Sequence, residues 1–131
     1  MGVNMIDLRT ALEQSWDPST AYLQVSRPGV PSLGQCYPTA RVLQLLIPAF
    51  EILEGSVSTG LGTEKHFWSL VRCEAGEIHV DLTWQQFPQG SVVRSWRVRD
   101  REELNDGPET IQRVETLLAR VRGYLSRPGR V

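Results

Sequence analysis

The stretch Gly34-Gln35-Cys36-Tyr37-Pro38-Thr39-Ala40 decides how the fold of this chain is interpreted. Its glycine is typical of a turn, and the residues after it predict a helix from near Cys36 to about Leu46. Pro38 falls in the first turn of that helix, where its missing N–H breaks no hydrogen bond. Apolar side chains surround most of the segment, which predicts a central helix buried in the core.

A helix is also expected near each end of the chain. Asn4 to Trp16 predicts a first helix capped by Asn4, and a loop rich in proline and glycine follows up to Leu33. Asp106 to Glu109 predicts the start of a last helix. Its expected buried stripe is Ile111, Val114, Leu117, Leu118, Val121 and Leu125. Its arginines are expected on a solvated face that does not bind nucleic acid: Arg113, Arg120 and Arg127.

Short strands between these helices predict an antiparallel sheet of three to five strands. Phe50 to Val57 is the first strand candidate, and the Gly/Ser/Thr-rich segment from Ser56 to Thr63 predicts a flexible loop able to act as a flap. Lys65 to Cys73 and Glu77 to Thr83 are expected to form a hairpin. Val92 to Val98 offers a further, weaker strand. The elements together predict an α+β fold.

Length and composition limit the class of protein. The 131 residues suit one domain: residues 1–33 as N-terminal helix and loop, 34–98 as cysteine helix and sheet, and 99–131 as C-terminal helix and tail. A net charge of -1 gives no electrostatic reason to expect a nucleic-acid or membrane partner. No apolar run is long enough to span a bilayer, and the N-terminus lacks the layout of a secretory signal, so a cytoplasmic protein is expected.

Cysteine usage points to the same compartment. Cys36 and Cys73 are the two cysteines, too few for the disulfide framework of a small secreted domain. A single bridge between them stays open at this stage. A zinc site built from both cysteines with His66 and His79 is disfavoured, because no pair has the usual ligand spacing. We therefore predict no metal and no cofactor.

Three residues offer the chemistry of a thiol enzyme. A cysteine at a helix start lies near partial positive charge and free N–H donors, which stabilise a thiolate and can bind an oxyanion. A histidine can take the thiol proton and return it to a leaving group, and a carboxylate can fix the histidine tautomer. Cys36, His66 and Asp81 supply these groups in chain order, each beside an apolar run.

The motifs around these residues resemble those of a known superfamily. Gly34-Gln35-Cys36, His66-Phe67-Trp68 and Val80-Asp81-Leu82-Thr83 resemble the three core motifs of transglutaminase-like proteins, which share the papain-like cysteine-enzyme fold. With the T-A that follows the first motif and Gln86-Phe87 after the third, the set is similar to the small bacterial YunG-type family. The resemblance covers about Gly34 to Phe87. We know no established activity for that family.

The resemblance implies a fold and a set of roles. The fold is a papain/transglutaminase-like core, with a cysteine-bearing helix packed on a small antiparallel sheet. Cys36 would be the nucleophile, His66 the base and Asp81 the orienting acid. Gln35, Trp68 and His79 are candidates for a substrate or oxyanion pocket. The chain departs from the larger enzymes in its shortness and in having Leu82 after the aspartate where they commonly have proline.

Each candidate also has a simpler interpretation. Cys36 could be a small buried filler, His66 a core histidine and Asp81 a residue that ends its strand. His79 shares a strand face with Asp81 and is an alternative base. The tryptophans are expected in the core: Trp16, Trp68, Trp84 and Trp96.

Two classes of function follow. The first is thiol-dependent hydrolysis or transfer of an acyl group from an amide or ester, with a small-molecule or peptide acyl substrate. The second is a catalytically inactive binding or interaction domain on the same scaffold. A toxin- or immunity-type accessory protein is a third idea, supported by small size alone. The sequence does not indicate the oligomeric state.

Overall fold

The computed structural model describes residues 4–22 and 29–127. Three helices and four strands form within these ranges. In chain order they are α1 (Met5–Ser15), α2 (Cys36–Leu46), β1 (Glu51–Thr59), β2 (Gly62–Cys73), β3 (Gly76–Val80), β4 (Val92–Val98) and α3 (Pro108–Leu125). The predicted α+β class is confirmed, and α2 has the predicted bounds. None of the described helices is long and apolar enough to cross a membrane.

The four strands form one antiparallel sheet in the order β3-β2-β1-β4. The strands β3 and β4 are opposite edges of the sheet, yet His79 on β3 and Trp96 on β4 have ring centroids only 5.1 Å apart. The sheet is therefore curled. The predicted hairpin of β2 and β3 is confirmed, but β3 ends at Val80, opposite Ser69. Asp81 therefore lies just beyond the strand, where β2 loses its partner on that side.

The expected flap over residues 56–63 is wrong. β1 and β2 stay paired through this segment, from Ser56 opposite Lys65 to Thr59 opposite Gly62, with Gly60-Leu61 as the turn. Serine, threonine and valine fit a pleated surface well, so pairing with a neighbouring strand outweighs the loop-like composition of the segment. The segment is a hairpin within the sheet.

The main core lies between the helices and one side of the sheet. Its buried members come from all three helices and from the start of β1: Leu8, Ala11, Leu12, Trp16, Val42, Leu43, Phe50, Val114, Leu117 and Val121. Two expectations about helix faces are corrected here. Leu45 of α2 is 44% exposed and Ile111 of α3 is 45% exposed, so neither belongs to the buried surface expected for it.

The arginines of α3 do not share one solvated face. Arg120 donates to the carbonyl of Ser15 at 3.0 Å and pairs with Asp17 at 3.0 Å, so it ties α3 to the end of α1. Arg113 is partly buried, and its Nε atom has no access to solvent. Helical periodicity shows correctly which side of α3 carries these arginines. It does not show which other segments of the chain cover that side.

Tryptophan burial is also uneven. Trp16 and Trp68 are 8% and 5% exposed and belong to buried clusters, as expected. Trp96 is 44% exposed, so its assignment to the core is wrong, and Trp84 is partly exposed in the segment after β3. Both line a cavity on the curled side of the sheet.

Candidate active site

Cys36 is the first residue of α2, and the chain before it is fixed in place. Gly34 adopts a positive φ of 75°, which glycine tolerates without strain. The buried Gln35 amide accepts from the Thr20 hydroxyl at 2.8 Å and donates to the Asp17 carbonyl at 3.0 Å. These bonds anchor the residue before Cys36 to the turn after α1. The thiol therefore starts a helix whose position is set by the core.

Among the residues that the structure describes, no side chain caps the start of α2. The N–H groups in the first turn of a helix lack partners within the helix, so they carry partial positive charge next to Cys36. The Gln35 side chain, which stands at the cap position, is used by the turn after α1 instead. The start of the helix is therefore available to stabilise negative charge at the thiol.

His66 lies on β2 and is fully buried. Its Nε2 atom is 2.6 Å from Oδ2 of Asp81, which lies just beyond β3. The other carboxylate oxygen of Asp81 accepts from the Thr83 backbone N–H at 3.2 Å. Asp81 thus ends its strand, as the simpler interpretation held, and the turn that follows orients its carboxylate toward His66.

The Cys36 thiol is the second polar group that acts on His66. Burial disfavours charge on the imidazole, but the hydrogen bond to Asp81 and the nearby Cys36 thiol outweigh it and raise the pKa of His66 to about 9. Nδ1 of His66 is buried, and no described atom lies within normal hydrogen-bond geometry of it. With Nε2 engaged by Asp81, Nδ1 is the nitrogen that has no hydrogen-bond partner among the described residues. The structure pairs His66 with Asp81, and Cys36 lies near enough to help raise the pKa of His66.

Aromatic rings enclose the His66 imidazole. Trp68 stacks on it with ring centroids 5.5 Å apart, and Phe87 packs edge-on at 4.7 Å. Trp84 completes the surround at 6.1 Å. These rings shield the His66–Asp81 pair from water and hold the imidazole in one orientation. Phe87 and Trp84 come from the segment after the aspartate motif, and the Gln86-Phe87 resemblance is the signal that pointed to it.

The other predicted pocket residues, Gln35, Trp68 and His79, are not among those that line the larger cleft holding Cys36. The Gln35 side chain is buried and used by two structural hydrogen bonds. The Trp68 indole N–H donates to Nδ1 of His79 at 2.9 Å, and both residues line the cavity of about 320 Å³ on the curled side of the sheet. His79 therefore contacts the indole of Trp68, whereas Asp81 bonds to His66.

Cys36 opens instead into a larger cleft of about 620 Å³. The residues around this cleft come from the segment between α1 and α2, from α2 and β2, from the segments after β3 and β4, and from α3. They include Tyr22, Tyr37, Glu64, Lys65, Phe67, Gln86, Arg99, Asp106, Thr110 and Arg113. Sequence reasoning missed most of them, because they are scattered along the chain and carry no motif. Of those named, Tyr37 and Phe67 lie next to Cys36 and His66, and Gln86 belongs to the Gln86-Phe87 part of the resemblance.

One wall of the cleft is a polar network centred on Asp106. Its carboxylate accepts from the Tyr37 hydroxyl and from Arg41 Nε, the latter at 2.8 Å. Burial and this carboxylate raise the pKa of Tyr37. The network joins α2 to the segment before α3 and so fixes the mouth of the cleft.

Neither cysteine is in a disulfide. Cys36 is partly buried, and Cys73 is exposed near the turn between β2 and β3. Among the described residues, no group of three His, Cys, Asp or Glu side chains is placed to hold a metal ion.

Comparison with known proteins gives a family. The family model described as YunG protein matches residues 4–126. The chain belongs to the YunG family. Neither curated proteins nor solved structures gave a match. The YunG part of the sequence resemblance is thereby confirmed, and the family match extends it from the motifs at Gly34 to Phe87 to nearly the whole chain.

Proposed function

We propose that this YunG protein is a thiol-dependent acyl hydrolase or acyl transferase. The observation that carries the proposal is a buried His66 that bonds to Asp81 at 2.6 Å and whose pKa is raised in part by Cys36, at the start of α2. The arrangement of a cysteine helix against a sheet that carries histidine and aspartate also supports a papain/transglutaminase-like core.

His66 supplies the charge that the first step needs. A raised pKa of about 9 keeps its imidazole protonated near neutral pH, with Asp81 opposite the positive charge. The imidazolium and the start of α2 together stabilise a thiolate at Cys36. A cationic imidazole next to a thiolate is the resting form expected of a cysteine nucleophile.

The reaction then proceeds in two halves. The thiolate attacks the substrate carbonyl carbon, and N–H groups at the start of α2 are placed to stabilise the oxyanion. The tetrahedral adduct collapses as His66 gives its proton to the leaving amine or alcohol, which leaves a thioester on Cys36. Neutral His66 next takes a proton from water or an amine as that molecule attacks the thioester carbonyl. The C–S bond then breaks, a carboxylic acid or an amide is released, and the thiolate is restored beside the protonated imidazole. Asp81 keeps the imidazole oriented throughout.

The compartment fits this chemistry. The mechanism requires reduced Cys36, and both cysteines are unpaired. That agrees with a cytoplasmic location, where thiols are kept reduced.

Trapping the thioester tests the proposal. The protein is incubated with an activated ester such as p-nitrophenyl acetate, quenched in acid and mapped by peptide mass. We expect acetylation at Cys36 that Cys36→Ser abolishes and Cys73→Ser leaves unchanged. Acyl transfer to an added amine, measured against loss to water, would separate transferase from hydrolase. Equal acetylation of Cys36 and Cys73 would contradict the proposal and favour an inactive binding domain.

A further inference from the structure

Arg113 lies in the Cys36 cleft without a carboxylate partner. Its Nη2 atom donates to the Thr110 hydroxyl at 3.0 Å, and its guanidinium lies 5.6 Å from the centre of the Tyr22 ring. Its Nε atom is buried and makes no hydrogen bond in the part of the chain described. Within residues 4–22 and 29–127, no carboxylate lies within ion-pair distance of Arg113.

The other buried charges around the cleft are already paired. Arg99 donates to Glu54 at 2.8 Å and lies over the Phe67 ring. The Asp106 carboxylate is used by Arg41 and Tyr37.

The remaining charges of the cleft are exposed. Lys65 and Glu64 are neighbours of opposite sign on β2, and water screens both. Arg113 is therefore the partly buried charge of the cleft that no described group neutralises.

Two helix starts add to the positive potential. Cys36 begins α2, and Gly107 and Thr110 at the start of α3 line the same cleft. Neither helix start is capped by a side chain of the described ranges, 4–22 and 29–127. The N-terminal end of a helix favours anions, and a guanidinium favours oxygen pairs that match its fork of N–H groups. Glu109, in the first turn of α3, does not line the cleft.

We infer that the Cys36 cleft takes a substrate carrying a negatively charged oxygen group, a carboxylate or a phosphate, which Arg113 and the start of α3 bind. An anion in this position would pair with the guanidinium, which is otherwise left partly desolvated. The statement that this substrate is an acyl donor rests on the proposed function. Binding of the anion itself does not depend on catalysis.

Two alkylating reagents of nearly the same size test the inference. Iodoacetate carries a carboxylate and iodoacetamide is neutral, so the ratio of their rates reports the charge preference of each thiol. Cys73, exposed on the same protein, is the internal reference. We expect the iodoacetate-to-iodoacetamide ratio to be at least about fivefold higher at Cys36 than at Cys73.

Substitution on α3 assigns that preference. Arg113→Gln should lower the ratio at Cys36 several-fold, and Arg113→Lys should keep part of the preference because the charge remains. Arg122→Gln, at an exposed arginine of the same helix outside the cleft, should leave it unchanged. The imidazolium of His66 also attracts anions, but it is present in all of these variants. An equal ratio in wild type, Arg113→Gln and Arg113→Lys overturns the inference.

Protection of the wild-type protein identifies the anion without relying on a variant. Acetate and inorganic phosphate are compared with chloride at equal ionic strength, as inhibitors of Cys36 alkylation by iodoacetamide. Slowing by acetate alone indicates a carboxylate substrate, and slowing by phosphate indicates a phosphorylated one. No slowing by either overturns the inference. An unreactive Cys36 whose slow alkylation the anions still slow would defeat the proposed function but support the anion site.

Discussion

The two cavities described above differ in chemistry: Asp81 lines one, and Cys36 lines the other. The larger one, about 620 Å³, holds the Cys36 thiol and is lined by charged groups. The smaller one, about 320 Å³, is lined by three tryptophans with His79, Val93 and Asp81. His66 is fully buried and is not among the lining residues of either cavity. A polar substrate is therefore expected to reach the thiol through the charged cleft, while the aromatic side holds the imidazole and carboxylate in place.

On the aromatic side, where Trp68, Trp84 and Trp96 line the smaller cavity, the packing leaves little room for change. Trp68 on β2 lies over Gly55 on β1, where there is no room for a Cβ atom. The Trp68 indole N–H has a partner in His79, and its ring stacks on His66. The aromatic residues on this side pack against one another, whereas polar groups such as Lys65 and Arg113 line the open cleft on the Cys36 side. We therefore expect the aromatic side to hold His66 and Asp81 in place and the Cys36 cleft to bind the substrate.

The largest effect is expected from filling the space beneath Trp68. A Cβ atom in Gly55→Ala would clash with the Trp68 ring and would lie 2.6 Å from the Ser95 carbonyl oxygen. Because one obstacle is backbone of β4, both the ring and the strand must shift. We expect a loss of about 3 kcal/mol in the free energy of unfolding, measured by urea denaturation.

Gly60→Ala is the matched control for that substitution. Gly60 lies in the turn between β1 and β2, and nothing lies within 4 Å of where its Cβ atom would be. We expect its cost to stay under about 1 kcal/mol. Similar losses at both positions would show that the packing around Trp68 is not specified in the way described.

The next largest effect is expected at the His66–Asp81 pair. Asp81→Asn removes the charge that supports protonated His66, so the pKa of His66 should fall. We expect Cys36 to react with iodoacetamide about tenfold more slowly at neutral pH. An alkylation rate equal to that of the wild type would show that Asp81 does not influence the thiol through His66.

The same pair should make stability depend on pH. The folded pKa of His66 is raised from 6.5 to about 9, so its stabilising contribution is complete below 6.5 and is lost as pH rises through 9. We expect the wild type to lose on the order of 2–3 kcal/mol of unfolding free energy across this window. Urea unfolding at several pH values checks this. Asp81→Asn should show a smaller decline, because Cys36 still favours the charged imidazole, and an identical decline in both proteins would contradict the assignment to the His66–Asp81 pair.

The smallest effect is expected on the aromatic side, at His79. His79→Ala removes the acceptor for the Trp68 indole, which should cost about 1 kcal/mol of unfolding free energy. Because His79 bonds to Trp68 and not to Asp81, iodoacetamide alkylation of Cys36 should keep its wild-type rate. A loss of thiol reactivity as large as that of His66→Ala would instead make His79 the base.

Local signals account for what the sequence predicted well. The α2 helix was correctly bounded because Gly34, Pro38 and Pro48 mark its ends and apolar residues fill it. The Asn4 cap of α1 was found the same way, and its side chain accepts from the backbone N–H groups of Ile6 and Asp7. Strand alternation gave the hairpin of β2 and β3. Each of these features depends on residues close together in the chain.

Features set by distant parts of the chain were missed. The hairpin over residues 56–63 depends on pairing along β1 and β2, which outweighs a loop-like composition. Arg113 was predicted to lie on a solvated helix face, but it lines the Cys36 cleft. Helical periodicity does not show which other segments cover a helix. Trp96 was wrongly predicted to lie in the core, because the sequence does not show the curl of the sheet. In the structure Trp96 packs against His79 and stays 44% exposed. Cleft residues such as Arg99 and Asp106 carry no motif at all.

The pH dependence of iodoacetamide alkylation, resolved between Cys36 and Cys73 in the wild type and in His66→Ala, tests the central claim most directly. We predict that wild-type Cys36 reacts rapidly well below pH 8.5, near which an ordinary thiol ionises. His66→Ala should lose that advantage, while Cys73 behaves alike in both proteins. Circular dichroism of His66→Ala confirms that the variant is folded. A Cys36 profile that matches Cys73 in the wild type would contradict the claim that the three residues form a thiol centre.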